Sequence, residues 1–206
     1  MRRCALLFAI LIATPVLAEP SGIVLVAKPG LLDPNFSETV VLVTRGEEGS
    51  TVGVILNRPD TRALGEIAPQ LRGADDFTQT IFSGGPVLRE VIVALFKSQT
   101  PPGASAFQVL PHAYLSMHPL AIERLLAERP AEMRLYAGFS GWAPQQLEAE
   151  IAAGGWYVVP ASEAIIFRRD TRELWRELVA KAGGARAMMQ DDVRVAGSVT
   201  TTVAAP

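Results

Sequence analysis

Tyr136-Ala-Gly-Phe-Ser-Gly-Trp-Ala-Pro-Gln-Gln-Leu-Glu-Ala-Glu-Ile151 runs from a strand through a glycine-rich corner into an amphipathic helix. Met133 to Phe139 is an apolar, extended stretch, Gly138 and Gly141 bracket a tight turn, and Pro144 stands where a first helical residue is expected. Leu147 and Ile151 fall four apart on one helix face, with Glu148 and Glu150 away from it. Gly154-Gly155 ends the helix, because glycine tolerates the left-handed backbone a C-terminus needs. A strand that turns directly into a helix docking on the same sheet argues for an α+β domain.

Outward from this stretch, the chain before it is rich in strands. Gly22 to Ala27 is a first core strand, punctuated by Lys28-Pro29-Gly30. Asp33-Pro34-Asn35-Phe36 is a helix start or a turn, with Asp33 placed to cap backbone N–H groups and Pro34 fixing φ. Thr39 to Thr44 and Thr51 to Asn57 are β-branched runs joined by Arg45-Gly-Glu-Glu-Gly-Ser50, the composition of a hairpin. Ala63 to Leu71 has a helical face of Leu64, Ile67, Ala68 and Leu71. Thr80 to Ser83 is a short strand that bends at Gly84-Gly85-Pro86 into the apolar run Val87 to Phe96. Phe107 to Leu110 is an edge segment, and from Pro119 the spacing becomes helical until Arg129-Pro130.

Beyond the opening stretch, Trp156 to Val159 and Ala164 to Phe167 are extended, and Thr171 to Ala182 is a helix. Strands cluster early and helices are interspersed later, without regular alternation. The expected fold is therefore α+β, a bent, mostly antiparallel sheet or small barrel flanked by helices, in a single domain. Residues 183–206 lack periodicity and are expected to be a disordered tail or to add at most one edge strand.

With 206 residues, 49% hydrophobic and 19% charged, the chain can bury one sizeable core. At the start, Arg2-Arg3, the apolar run Ala5 to Ala13 and the small-residue end Val16-Leu17-Ala18 read as a secretory signal peptide, residues 1–18, cleaved after Ala18. The run is short for a bilayer and is interrupted by Thr14 and Pro15, so a retained membrane anchor is the lesser alternative. The domain proper is then 19–182, and the mature chain is expected in the periplasm or outside the cell, without a stable membrane anchor.

The single cysteine, Cys4, falls inside that segment, so the mature chain has no thiol for a disulfide, a nucleophile or a thiolate metal site. Removing Arg2 and Arg3 from 19 basic residues leaves 17 against 21 acidic ones, a formal charge of −4. That balance argues against a general nucleic-acid binder. Arg168-Arg169, Arg172 and Arg176 alternate with Asp170, Glu173 and Glu177, the spacing of a solvated helix face.

Three ordered stretches carry a resemblance. Leu25 to Val43 with Gly53-Val-Ile-Leu-Asn-Arg-Pro59, then Phe82-Ser-Gly-Gly-Pro-Val87, then the opening stretch resemble the signatures of the YqgE/AlgH family, over roughly residues 21 to 180. This is a widespread bacterial group whose biochemical activity is largely unassigned. The resemblance implies an α+β fold with a small barrel-like sheet and flanking helices, and the AlgH name implies control of gene expression. The family's Gly-Tyr-Ala-Gly before the tryptophan stands here as Gly138-Phe139-Ser140-Gly141, without a tyrosine hydroxyl, and a histidine often found at the end of the second strand is Arg45.

The side-chain chemistry names no reaction. His112 and His118 are six apart, not a helical metal-ligand spacing, and no metal or cofactor is expected. Ser140 and Ser83 sit beside glycines, but Gly-x-Ser-x-Gly is absent. The Gly84-Gly85 segment lacks the lysine of a phosphate loop and fits a turn or a close backbone approach. The carboxylate pairs Glu47-Glu48, Asp75-Asp76, Glu148 with Glu150, and Asp191-Asp192 read as hairpin tips and solvated faces.

The polar groups held between apolar strands are the candidates for binding: Asp33, Asn57, Arg58, Gly84, Gly85, Ser140 and Trp142. Arg58 could present its guanidinium to an anion, pair with Asp33, or cap a turn. Trp142 is either a stacking surface or the plug at a helix start. The expected function is a non-catalytic periplasmic binding or accessory module for a small molecule or protein. The alternatives are a regulator of gene expression and a hydrolase centred on Ser140 or Asp33.

Overall fold

A computed structural model of the chain describes residues 22–184. The segment read as a signal peptide lies outside them, as does residue 185 onward of the expected tail. Strands are β1 Ile23–Ala27, β2 Val40–Arg45, β3 Thr51–Ile55, β4 Phe82–Ser83, β5 Val87–Lys97, β6 Phe107–Leu110, β7 Ala113–Ser116, β8 Met133–Trp142 and β9 Trp156–Pro160. Helices are α1 Leu64–Ile67, α2 Pro119–Glu128, α3 Gln146–Ala152, α4 Glu163–Ile166 and α5, residues 174–184.

The strands form one open sheet in the order β6-β7-β5-β8-β3-β2-β1-β9, with β4 alongside β8. All pairs are antiparallel except β4 with β8. The α+β architecture expected from the sequence is the one observed. The sheet bends far enough for the Gly22 N–H to reach the Val109 carbonyl of β6, at 3.2 Å.

The bend explains why β1 and β2 are apolar at nearly every position rather than alternating. Val24, Val26, Val40, Leu42, Val54 and Leu56 face one core, shared with Leu95, Leu115, Tyr136 and the α5 residues Leu174 and Leu178. Their neighbours Leu25, Ala27, Val41, Val43 and Ile55 face another, closed by Trp142, Leu147 and Trp156. A third cluster seats α1 and α2 on Ala94, Phe96, Leu135 and Ala137. With both faces of β1 and β2 covered, nearly every residue of these two strands gains from burial, and period-two alternation disappears in them.

β8 joins the two halves of the sheet. Its first half pairs with β5 on one edge and β4 on the other, and its last residues pair with β3 through Gly53↔Ser140 and Thr51↔Trp142. The Gly84-Gly85 segment crosses it at this exchange. The Gly84 N–H donates to the Ala137 carbonyl at 2.8 Å, while the Gly84 carbonyl accepts the Ile55 N–H at 2.9 Å. A Cβ on Gly84 would lie 2.1 Å from the Gly138 carbonyl oxygen, and one on Gly85 would lie 2.3 Å from that of Phe139. Gly138 itself holds φ +71° inside the strand, a conformation strained for any other residue.

Several sequence expectations are corrected. The strand does not turn at Gly138–Gly141 but continues to Trp142, and the turn falls on 143–145, so Pro144 precedes α3 instead of opening it. The pairing of Trp142 with Thr51 extends the strand past both glycines. Ala164 to Phe167, expected to be extended, lies mostly in the single helical turn α4, and the helix expected over Ala63 to Leu71 is only Leu64–Ile67. Between the two histidines lies a strand, β7, wholly buried, whereas His112 and His118 at its ends are exposed.

Glu150 faces inward, not away. Its Oε2 accepts the indole N–H groups of both Trp142 and Trp156, at 3.1 Å each, and its Oε1 accepts the Gln146 amide at 3.0 Å. Leu147 supplies the apolar anchor of α3, and Glu150 the polar one. Tyr136 is fully buried, and its hydroxyl has no hydrogen-bond partner among the described residues. Burial pushes this phenol up to about 12, with Arg134 close enough to oppose the shift without reaching hydrogen-bond geometry.

Glu150→Ala leaves two buried indole N–H groups unsatisfied and should cost roughly 2–3 kcal/mol in urea unfolding followed by tryptophan fluorescence. Tyr136→Phe removes an unpaired hydroxyl and should leave stability within about 1 kcal/mol of wild type or above it. Because the folded-state pKa exceeds the unfolded one, the neutral phenol stabilises fully below pH 10 and its contribution is lost as pH rises toward about 12. Chemical unfolding across that window should fall less steeply with pH in Tyr136→Phe than in wild type.

Candidate functional site

The seven candidate residues separate into three places rather than converging on one pocket. Asp33, Asn57 and Arg58 all act on the turn at 33–38. The Asp33 Oδ1 accepts the Asn35 N–H at 2.8 Å, so this carboxylate closes the turn beside Pro34. Asn57, leaving β3, accepts the Val40 N–H at 2.8 Å and donates to the Glu38 carbonyl at 2.9 Å. Arg58 does not pair with Asp33. It donates to the carbonyls of Asn35 at 2.8 Å and Ser37 at 3.4 Å.

Gly84, Gly85 and Ser140 meet at the β8 crossing. Ser140 is completely buried, and its hydroxyl donates to the Gly84 carbonyl at 3.1 Å. That geometry closes a backbone contact and presents no nucleophile to solvent. Trp142 occupies the third place. It is buried, stacks on Phe36 with ring centroids 5.5 Å apart, and meets Trp156 edge-on at 6.4 Å. Of the two roles open to it, plug and stacking surface, it fills the first. Phe36 belongs to the same 33–38 turn, so this aromatic cluster braces that turn from the other side.

Among these residues, Asn57 and Arg58 line an open cavity of about 280 Å³, together with Ser37 and Glu38 on one wall and Arg172, Trp175 and Arg176 on the other. The Trp175 indole donates to the Ala27 carbonyl at 2.7 Å, which anchors α5 against β1 and sets the second wall. Arg172 and Arg176 pair within their own segment, with Asp170 at 2.6 Å and Glu173 at 3.1 Å, as the interleaved charges suggest. Arg58 differs, for no carboxylate pairs with it among the described residues. Burial, and then the like charge of Arg89, lower its pKa from the usual arginine value.

Arg172 also borders a larger cleft of about 590 Å³, which includes Pro59, Phe82, Arg134, Phe167 and Arg169. Arg134 lies over the Phe82 ring at 4.3 Å, a cation–π contact that fixes its guanidinium at the cleft wall. The two acids there are each held by a cation, Glu132 by Lys97 and Asp170 by Arg172. Among the described residues no three His, Cys, Asp or Glu side chains come together to hold a metal ion, and no helix is long and apolar enough to cross a membrane. Sequence reasoning missed Arg134 and the second wall, because Arg172 and Arg176 look like an ordinary solvated face until α5 is placed against the end of β3.

Comparison with known proteins places this geometry in a family. The AlgH-like family model, DUF179, matches residues 24–187. A UPF0301 protein of Thermobifida fusca is 35% identical over 179 residues, covering 82% of this chain and 90% of the relative. One from Streptomyces coelicolor is 35% identical over 176 residues with the same coverage. The solution structure of the AlgH protein from Pseudomonas aeruginosa superposes with a TM-score of 0.64 at 27% identity, over 83% of this chain and 92% of that one. The crystal structure of protein DIP2367 from Corynebacterium diphtheriae does so with a TM-score of 0.60 at 27% identity, over 78% and 86%. With its motifs accounted for by the β8 crossing and the braced turn, and with matches spanning nearly all the described residues, the chain belongs to the AlgH-like family.

Proposed function

We propose that the protein is a non-catalytic binding or accessory module of the periplasm, delivered there by residues 1–18 acting as a cleaved signal peptide, with the Arg58 cavity and the adjoining cleft as its binding surface. One observation carries the reading. Arg58 is a partly buried cation without a carboxylate partner among the described residues, and it faces an open cavity. A structural arginine in such a place is ordinarily paired, since an uncompensated buried charge is costly. The other candidates are consumed by the fold: Ser140 and Trp142 are buried, and Asp33 closes its own turn. Control of gene expression by direct DNA binding fits poorly with a mature formal charge of −4.

Cell fractionation and N-terminal sequencing test the location. The mature chain is expected in the periplasmic fraction beginning at Glu19, and a full-length cytosolic chain would overturn this part of the proposal. Labelled duplex DNA should show no salt-sensitive mobility shift, and esterase, phosphatase and glycosidase panels should show no turnover. Activity abolished by Ser140→Ala or Asp33→Asn in a folded protein would replace the binding reading with a hydrolytic one.

A further inference from the structure

We infer that the Arg58 cavity is a phosphate site, taking the dianionic head of a phosphate monoester whose remaining body extends over Arg172 into the larger cleft. The inference rests on the binding reading above and names the ligand chemistry of the same site. Three guanidinium groups border the cavity from three places in the chain: Arg58 after β3, Arg172 before α5, and Arg176 within it. Arg58 is the fixed member. Two of its five N–H donors are spent on the Asn35 and Ser37 carbonyls, which hold the fork in place without neutralising it.

The other two are movable. Arg172 and Arg176 are 84% and 68% exposed, and their partners Asp170 and Glu173 are 59% and 58% exposed. Such exposed pairs add little to stability, so either guanidinium can exchange its carboxylate for a bound anion at little cost. Glu38 also lines the cavity and would face the anion, which favours a ligand charged strongly enough to outweigh one opposing carboxylate.

Geometry separates phosphate from carboxylate. A carboxylate is planar, and one arginine fork satisfies both of its oxygens. A phosphate monoester has three terminal oxygens on a tetrahedral centre and carries about −1.5 to −2 charges at pH 7. Guanidinium groups arriving from two opposite walls suit the tetrahedral group. The 280 Å³ cavity is small for a whole ligand, but Arg172 borders both spaces, and Arg58 and Pro59, adjacent in sequence, line one each. The body of the ester would therefore lie toward Phe82 and Phe167, where the lining is partly apolar.

Isothermal titration of the full mature chain at low ionic strength, with phenyl phosphate and then benzoate, tests the inference. Phenyl phosphate should bind at least tenfold tighter than benzoate, and inorganic phosphate should compete with it. Arg172→Gln and Arg176→Gln, both at exposed positions, should each weaken binding about tenfold, whereas Arg124→Gln on α2 should not change it. Arg58→Lys keeps the charge but loses the fork and its bonds to the 33–38 turn, and should weaken binding further than either exposed variant. Benzoate binding as tightly as phenyl phosphate would overturn the phosphate assignment and leave the binding reading standing. Equal effects of Arg172→Gln and Arg124→Gln would overturn the location. No heat from either probe would overturn the site, with the binding reading then judged by its own tests. Release of phenol would support the phosphate site and overturn the non-catalytic reading instead.

Discussion

The fold depends on one backbone crossing, where the Gly84-Gly85 segment lies against β8 between Ala137 and Ser140. There β8 exchanges β4 for β3 along one edge, and the Gly84 carbonyl accepts from both the Ile55 N–H and the Ser140 hydroxyl. Atoms this close leave no room for a side chain on either glycine. The crossing lets a single strand belong to two halves of the sheet, and the bent sheet encloses the core that holds Val24, Leu42, Val54 and Tyr136. Exchange of a glycine here would force backbone to move, since the obstructing atoms are carbonyl groups rather than flexible side-chain ends.

A second constraint is the turn at 33–38, held from two directions. Asn57 and Arg58 bond its carbonyls and the first N–H of β2, while the Phe36 ring packs between Trp142 and Trp156, with centroid distances of 5.5 and 5.6 Å. Both tryptophans are tied to one carboxylate, Glu150. Residues far apart in sequence thus stabilise one another through a short irregular segment. Their residue types are explained by packing and hydrogen bonding before any ligand is invoked.

Electrostatics then distinguishes what the fold uses from what it leaves available. The pairs Arg124 with Glu128, Arg172 with Asp170 and Arg176 with Glu173 are exposed and local, and add little to stability. Arg58 bonds only neutral carbonyls and lies near Arg89, so its charge gains nothing from an acidic partner. The functional proposal begins at this imbalance.

Apolar, β-branched runs bounded by turn residues made the hairpin Val40 to Ile55 and strand β9 legible in the sequence, and helix α2 is long enough for its helical period to repeat. The short elements were not legible. α4 is a single turn whose apolar residues fit an extended reading equally well, and β7 is a four-residue strand between two exposed histidines, too short for a period to show. The corner at Gly138–Gly141 failed for a different reason: glycines placed for the approach of another segment look the same in sequence as glycines placed for a turn. By itself the sequence determined the α+β class and the family, and it singled out Asp33, Asn57, Arg58, Gly84, Gly85, Ser140 and Trp142 as binding candidates, since apolar runs and the polar groups between them are read from near neighbours. Only the tertiary structure decided that Glu150 serves two indoles and that Arg58 shares a cavity with Arg172 and Arg176, because those meetings depend on how the bent sheet brings α3 and α5 against distant strands.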